Sequence, residues 1–204
     1  MSIKNKDLHG NVPDQSNVVL LLIDVINDLD FPEGKKLLPP ALLMAERLAA
    51  LKRRAKQVGM PVIYVNDNFG RWQSDFRRQV THCLEDGTCG EPIARLLVPE
   101  EDDYFVLKPK HSGFFSTALD ILLDYLGART LILTGLTGDN CVLFTAYDAY
   151  LRDFYLVIPS DCVASLDPTE NQYALRQMQR LLKADICPSS ELDLAALNRT
   201  PKLD

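Results

Sequence analysis

Residues 18–25 read VVLLLIDV. Six apolar residues in unbroken succession leave no polar face, so a strand built from them is covered on both sides. Strands of that kind belong to parallel sheets, and each parallel neighbour needs a crossover, normally a helix. This one run therefore commits the chain to a sheet with helices on both faces. Asp24 interrupts the run at its carboxyl end. A carboxylate there is costly to bury unless something pairs with it.

The rest of the pattern continues the theme. Pro39 and Pro40 suit the start of a helix, where their missing N–H groups are not needed. Met44, Leu48, Leu51, Ala55 and Val58 then step by fours and threes along one stripe, closed by Gly59 and Pro61. Residues 61–66 (PVIYVN), 104–107 (YFVL), 130–134 (TLILT), 155–159 (YLVIP) and 184–187 (ADIC) read as further strands. Ser116 or Thr117 can cap a helix whose apolar face holds Leu119, Leu122, Leu123 and Leu126, closed by Gly127. Residues 168–184 form another amphipathic helix. The expectation is a three-layer α/β/α sandwich on a mainly parallel, Rossmann-like six-stranded sheet.

Domain organisation follows from the same pass. Residues 1–16 are a polar arm, residues 17–188 the single domain, and residues 189–204 a tail that packs on a neighbour. Within the domain, residues 67–100 lack regular periodicity and read as a lid or binding insertion after a strand.

Composition excludes several classes of partner. A net charge of −6 disfavours nucleic acid and anionic membranes. The first 17 residues carry no apolar signal core, and no apolar run is long enough to span a bilayer. Cys83, Cys89, Cys141, Cys162 and Cys187 are an odd set of five, read as thiols in a reducing cytoplasm. Cys83 and Cys89 have the wrong spacing for a zinc pair, with only His82 nearby, so no metal and no cofactor is expected.

In open α/β sheets the ligand site lies beyond the carboxyl ends of the strands, where strand order reverses. Three reactive residues fall at such ends: Asp24 after the first strand, Lys108 after the third and Cys141 just after the fourth. Residues 135–140 are turn chemistry with two glycines, an Asp and an Asn, and a helical pattern opens at Cys141. Free N–H groups at that helix start favour an anion, so the thiol is expected to lose its proton more easily, with Lys108 helping. Asp24 can take the thiol proton and return it to a leaving group. The turn offers N–H groups to a developing oxyanion. His9, His82 and His111 are at no clear strand end, so a Cys–His pair is not expected. The plainer readings remain in view: a buried core cysteine, a turn-capping Asp24 and a solvated Lys108.

Three stretches carry a family resemblance. VVLLLIDVINDL resembles the first-strand motif of the isochorismatase-like cysteine hydrolases, with Asp24 at the family aspartate. VLKPKHSGFFSTALDILL resembles the family's lysine motif, and counting back from Ser112-Gly113-Phe114 selects Lys108 rather than Lys110. LILTGLTGDNCVLFTAYDAYLRDFYLVIPSDCVAS resembles the nucleophile motif, with Cys141 as nucleophile. These pieces span residues 18–165 in the family's order. The resemblance implies the fold argued above and a family of nicotinamidases, N-carbamoylsarcosine amidohydrolases, ureido-acid hydrolases and isochorismatases. It also implies a cis peptide at Leu136–Thr137, which aims the Thr137 and Cys141 N–H groups at the oxyanion, and a homodimer or homotetramer.

One departure bears on substrate. Nicotinamidases hold a metal through an Asp-x-His element after the second strand, whereas this chain reads Asn66-Asp67-Asn68-Phe69. The candidate pocket residues are instead Asn27, Asn68, Phe69, Trp72 and Phe114. Arg71, Arg77 and Arg78 could meet a substrate carboxylate, or simply solvate a helix. The expected activity is cleavage of a C–N bond in a small amide or ureide through a thioester. The alternatives are a vinyl-ether hydrolase of the isochorismatase type, or a non-catalytic small-molecule-binding protein on the same fold.

Overall fold

β1, Val18–Ile23, has no exposed residue, in keeping with its unbroken apolar sequence. A computed structural model describes residues 15–70 and 75–199. Around β1 stand β2 (Val62–Asp67), β3 (Tyr104–Lys108), β4 (Thr130–Leu136), β5 (Tyr155–Val157) and β6 (Val163–Ala164). Every pairing among them is parallel, in the order β3-β2-β1-β4-β5, with β6 beside the carboxyl end of β4.

Helices cover both faces. α1 (Gly34–Gln57), α2 (Phe76–Glu85), α3 (Glu91–Leu96) and α7 (Leu194–Arg199) pack on one side, against Leu20, Leu22 and Tyr64. α4 (Leu119–Leu126), α5 (Leu143–Tyr150) and α6 (Pro168–Leu182) pack on the other, against Leu21, Ile23 and Leu133. Alternate residues of the same strands thus feed two separate cores, the arrangement that a parallel sheet with crossovers requires.

Several elements differ from the sequence expectation. α1 starts at Gly34, so Pro39 and Pro40 lie inside it. Burial of Leu37, Ala41 and Met44 on one stripe outweighs the hydrogen bonds those prolines forgo. Residues 67–100 include two helices, α2 and α3. α2 buries only Phe76 and Cys83, too few apolar positions to announce a helical period. The sixth strand is β6; residues 184–187 contribute a single bridge, Asp185 to Val157. Pro159, which has no N–H, follows the short β5. Within residues 189–204, the described part packs on its own chain: Leu192 and Leu194 are buried, and Arg54 of α1 donates to the carbonyls of Ser189 and Leu192. The N-cap of α4 is Ala118 and not Ser116 or Thr117, although the Thr117 hydroxyl, one residue earlier, accepts from the Leu119 N–H at 3.2 Å; Gly127 closes the helix in the left-handed region.

Strand order reverses between β1 and β4, and there the two backbones touch. Gly135 has φ +109°, and a Cβ built on it would lie 2.1 Å from the Ile23 carbonyl oxygen. Both the conformation and the space demand glycine. Gly135→Ala is expected to destabilise the chain by about 2–4 kcal/mol. Urea unfolding measures this as a lower midpoint at unchanged slope. A midpoint equal to that of the parent would contradict the close approach.

Candidate active site

β1 ends at Asp24, whose φ of +50° lies in the left-handed region that Asp tolerates better than most residues. The Asp24 N–H donates to the Val65 carbonyl at 3.0 Å, so the strand pairing continues up to this residue. Its carboxylate turns across the sheet rim. Oδ1 accepts the Asp67 N–H at 2.7 Å, and Oδ2 lies 2.8 Å from Lys108 Nζ. Lys108 is the last residue of β3 and is fully buried. Its ammonium also stands 3.5 Å from Cys141 Sγ and 3.8 Å from Asp67 Oδ2. The Asp24 carboxylate acts on the Cys141 thiol electrostatically across the Lys108 ammonium that both face. The structure thus brings an acid, a cation and a sulfur from three separate strand ends into one contact group.

Cys141 lies in a π-helical turn, Gly138–Val142, that runs straight into α5. Thr145 fixes this junction: its hydroxyl donates to the Cys141 carbonyl at 2.7 Å and accepts the Gly113 N–H at 3.0 Å. Ser112 bonds to Asp148, one turn further along α5. The loop after β3 is therefore fastened to the helix that carries the cysteine. The peptide bond Leu136–Thr137 is cis. Asn140 and Val142 N–H groups both donate to the Thr137 carbonyl, at 3.1 Å.

Electrostatics here differ from the expectation of an eased thiol. Burial pushes the Cys141 thiol up to about 12, and the neighbouring Asp24 carboxylate adds to this, while Lys108 opposes it. Burial also raises Asp24 above the usual carboxylate range, against the pull of Lys108. For Lys108, burial disfavours the charge, but Asp24 and Cys141 outweigh it and the ammonium is held. At rest the site holds a protonated sulfur beside a carboxylate whose proton affinity is enhanced.

The proposed pocket residues separate. Asn68 and Phe69 wall a cavity of about 450 Å³ together with Asp28, Arg78 and His82. The three reactive side chains do not line that cavity. Phe114 does not serve as pocket wall: its ring is buried near Phe154, with the Arg152 guanidinium over it at 4.7 Å. Asn27 caps a turn, its Oδ1 accepting the Leu29 N–H at 2.8 Å. Trp72 and Arg71 lie outside the described residues. Sequence pattern does not select His111, yet its Nδ1 is 4.0 Å from Cys141 Sγ and its ring packs on Phe144. The only signal was its place three residues after Lys108, in a loop whose return onto α5 has no periodic signature.

A metal of the nicotinamidase kind does not fit these residues. Phe69 stands where the Asp-x-His element needs its histidine, and Asp67 faces Lys108 instead. Among the described residues, no group of three His, Cys, Asp or Glu side chains could hold an ion. No helix among them is long and apolar enough to cross a membrane.

Comparison with known proteins gives a consistent answer. The isochorismatase domain model matches residues 18–189. The chain is 38% identical over 178 residues to the uncharacterized isochorismatase family protein YaaI of Bacillus subtilis, covering 87% of this chain and 97% of that one. N-carbamoylsarcosine amidase from Thermoplasma acidophilum superposes with a TM-score of 0.66 at 28% identity, over 87% of this chain and 99% of its own. Pyrazinamidase/nicotinamidase from Streptococcus mutans superposes with a TM-score of 0.65 at 27% identity, over 83% and 99%.

Lys108→Met removes the ammonium that faces the sulfur while keeping the stem that fills its site. Each pKa unit lost by the thiolate is a factor of ten in reactive species, so Cys141 alkylation by iodoacetamide at pH 8 should slow about tenfold or more. Peptide mass mapping separates Cys141 from the other four thiols. An unchanged rate in a folded Lys108→Met protein would remove the cation from the account.

Proposed function

The chain belongs to the isochorismatase family and is a hydrolase, and from that premise we propose that it cleaves a C–N bond of a small amide or ureide through a thioester on Cys141. The observation that carries this reading is the single contact group of Asp24, Lys108 and Cys141. The names of two structural relatives, an N-carbamoylsarcosine amidase and a nicotinamidase, support the substrate class.

The chemistry follows from the resting protonation. Sγ attacks the substrate carbonyl carbon as its proton passes to the Asp24 carboxylate, so no free thiolate need accumulate. Burial raises the affinity of Asp24 for that proton. Lys108 holds its charge throughout and offsets the negative charge that moves between carboxylate and sulfur. The carbonyl oxygen becomes an oxyanion, met by the backbone N–H groups of Thr137 and Cys141. The C–N bond then breaks, and Asp24 returns the proton to the departing nitrogen. Water attacks the thioester, giving a proton to Asp24; the C–S bond breaks, the acid leaves, and the thiol regains its proton.

The working unit of this reading is residues 17–188, which nearly coincides with the matched span. Residues 67–100 are its candidate wall or lid, since Asn68, Phe69 and Arg78 border the cavity beyond β2. A reducing compartment suits five cysteines, all unpaired. Assembly as a homodimer or homotetramer would cover apolar side chains such as Leu151 and Tyr155, which are 75% and 62% exposed.

One observation favours a second reading. A carboxyl raised by burial is also a proton donor, as acid-catalysed cleavage of a vinyl ether requires. The same experiment separates the two. In a screen of small amides and ureides for ammonia release, Cys141→Ala should abolish turnover, and Asp24→Asn should lower it about 100-fold or more. The parent rate should rise with pH as Asp24 ionises, above the usual carboxylate range. Turnover of a vinyl ether that survives Cys141→Ala would favour the second reading and sink the first.

A further inference from the structure

The turn that carries the nucleophile is held from behind by two residues with no part in the chemistry above. The Asp139 N–H donates to Ser165 Oγ at 3.1 Å. Ser165 Oγ donates to Asn171 Oδ1 at 3.0 Å, and Asn171 Nδ2 donates to the Val163 carbonyl at 3.3 Å. Ser165 follows β6 and is 1% exposed; Asn171 lies in the first turn of α6. A chain of bonds therefore runs from the middle of the turn back to β6. That strand is itself paired with Gly135 and Leu136, the residues just before Thr137. The loop is closed: both ends of the segment 135–139 are tied to the same two-residue strand.

Packing makes the support rigid. A Cβ added at Gly138 would lie 2.1 Å from Asn171 Oδ1 and 2.6 Å from Val163 Cγ1. The turn thus rests directly on the Asn171 amide, with no room for a side chain or a water between them. Internally the turn is braced by two bonds to the Thr137 carbonyl. What remains to be set is the placement of the braced unit, and Ser165 with Asn171 supplies it.

We propose that Ser165 and Asn171 are positioning residues that hold the 137–141 turn so that its backbone N–H groups meet the oxyanion. The inference rests on the oxyanion role proposed above for Thr137 and Cys141. It deepens that reading by naming the residues on which the donors depend. Donors fixed before the reaction are effective because they need no reorganisation, so a turn released from its support loses rate even with every reacting group present.

Two reactions of Cys141 in the full chain test this. Alkylation by iodoacetamide forms an S–C bond at a saturated carbon as iodide leaves, and involves no carbonyl oxyanion. Acylation by p-nitrophenyl acetate forms an S–C bond at the carbonyl carbon, passes through an oxyanion and expels p-nitrophenolate. Ser165→Ala and Asn171→Leu should slow single-turnover acylation about tenfold or more, since loss of one oxyanion donor typically costs more than that. Alkylation should stay within about twofold, because it reads the sulfur alone. If both rates fall together, or if neither falls, the proposal is overturned. Where Asn171→Leu does not fold, Ser165→Ala decides alone. p-Nitrophenolate release unaffected by Cys141→Ala would reject the nucleophile reading, and the positioning role with it. Acylation that needs Cys141 but ignores Ser165 and Asn171 would reject the positioning role only.

Discussion

The Lys108 ammonium is fully buried, and the candidate site is arranged around that charge. An isolated charge in such a place is prohibitively unfavourable, and removing one partner of a buried pair typically costs about 3–5 kcal/mol. The Asp24 carboxylate at 2.8 Å answers the cation. Asp24 is answered in turn by the Asp67 N–H at 2.7 Å. The carboxylate thus has a charged partner and a backbone donor, and the ammonium has two carboxylates and a sulfur. Buried charge on this scale is tolerated because almost every lone pair and proton is assigned.

Topology makes the assignment possible. In the order β3-β2-β1-β4-β5, all strands point the same way, so Asp24, Asp67, Lys108 and the turn before Cys141 emerge on one rim. Order reverses between β1 and β4, and at the crevice opened there Asp24 and Cys141 share the Lys108 ammonium. Nothing local to any one segment would bring these groups together. The left-handed Asp24, the glycine at 135 and the Thr145 tie between the lysine loop and α5 then adjust directions on a frame the sheet has already set.

Much of this frame was legible in the sequence. Residues 18–23 and 131–133 lie in buried strands because no polar residue breaks them, and that is a one-dimensional signal. Asp24, Lys108 and Cys141 could be placed on one rim by a rule of parallel sheets, without any knowledge of side-chain contacts. Less was legible where tertiary burial overrode local preference. α1 runs through two prolines because one stripe of apolar residues continues past them. α3 gains its order by packing on α1, and α2 by packing on α3 and placing Phe76 against Tyr64 and Phe105, which a polar sequence does not announce. β6 is two residues long and exists only because β4 is there to receive it. His111 reaches the sulfur through a folded-back loop. Phe114 belongs to a core and not to a pocket, since Arg152 and Phe154 enclose it.

Charge state was the least legible property, and the reason is general. A cysteine at a helix start beside a lysine suggests a thiolate, because each feature alone favours the anion. The structure adds two influences that sequence cannot supply. One is burial, which disfavours any charged sulfur. The other is the nearby Asp24 carboxylate, whose charge disfavours a second anion on the sulfur. With one buried cation between two potential anions, the favourable count is a single negative charge, and the carboxylate is the better holder of it. The thiol then keeps its proton until a substrate carbonyl offers the charge somewhere to go. On that account the site makes its nucleophile during the attack and not before, and a resting sulfur that stays protonated is also shielded from casual oxidation. The backbone donors of the 137–141 turn matter more under such a scheme than they would beside a standing thiolate. In the proposed mechanism they receive the charge at the moment the proton moves, so their position has to be settled in advance.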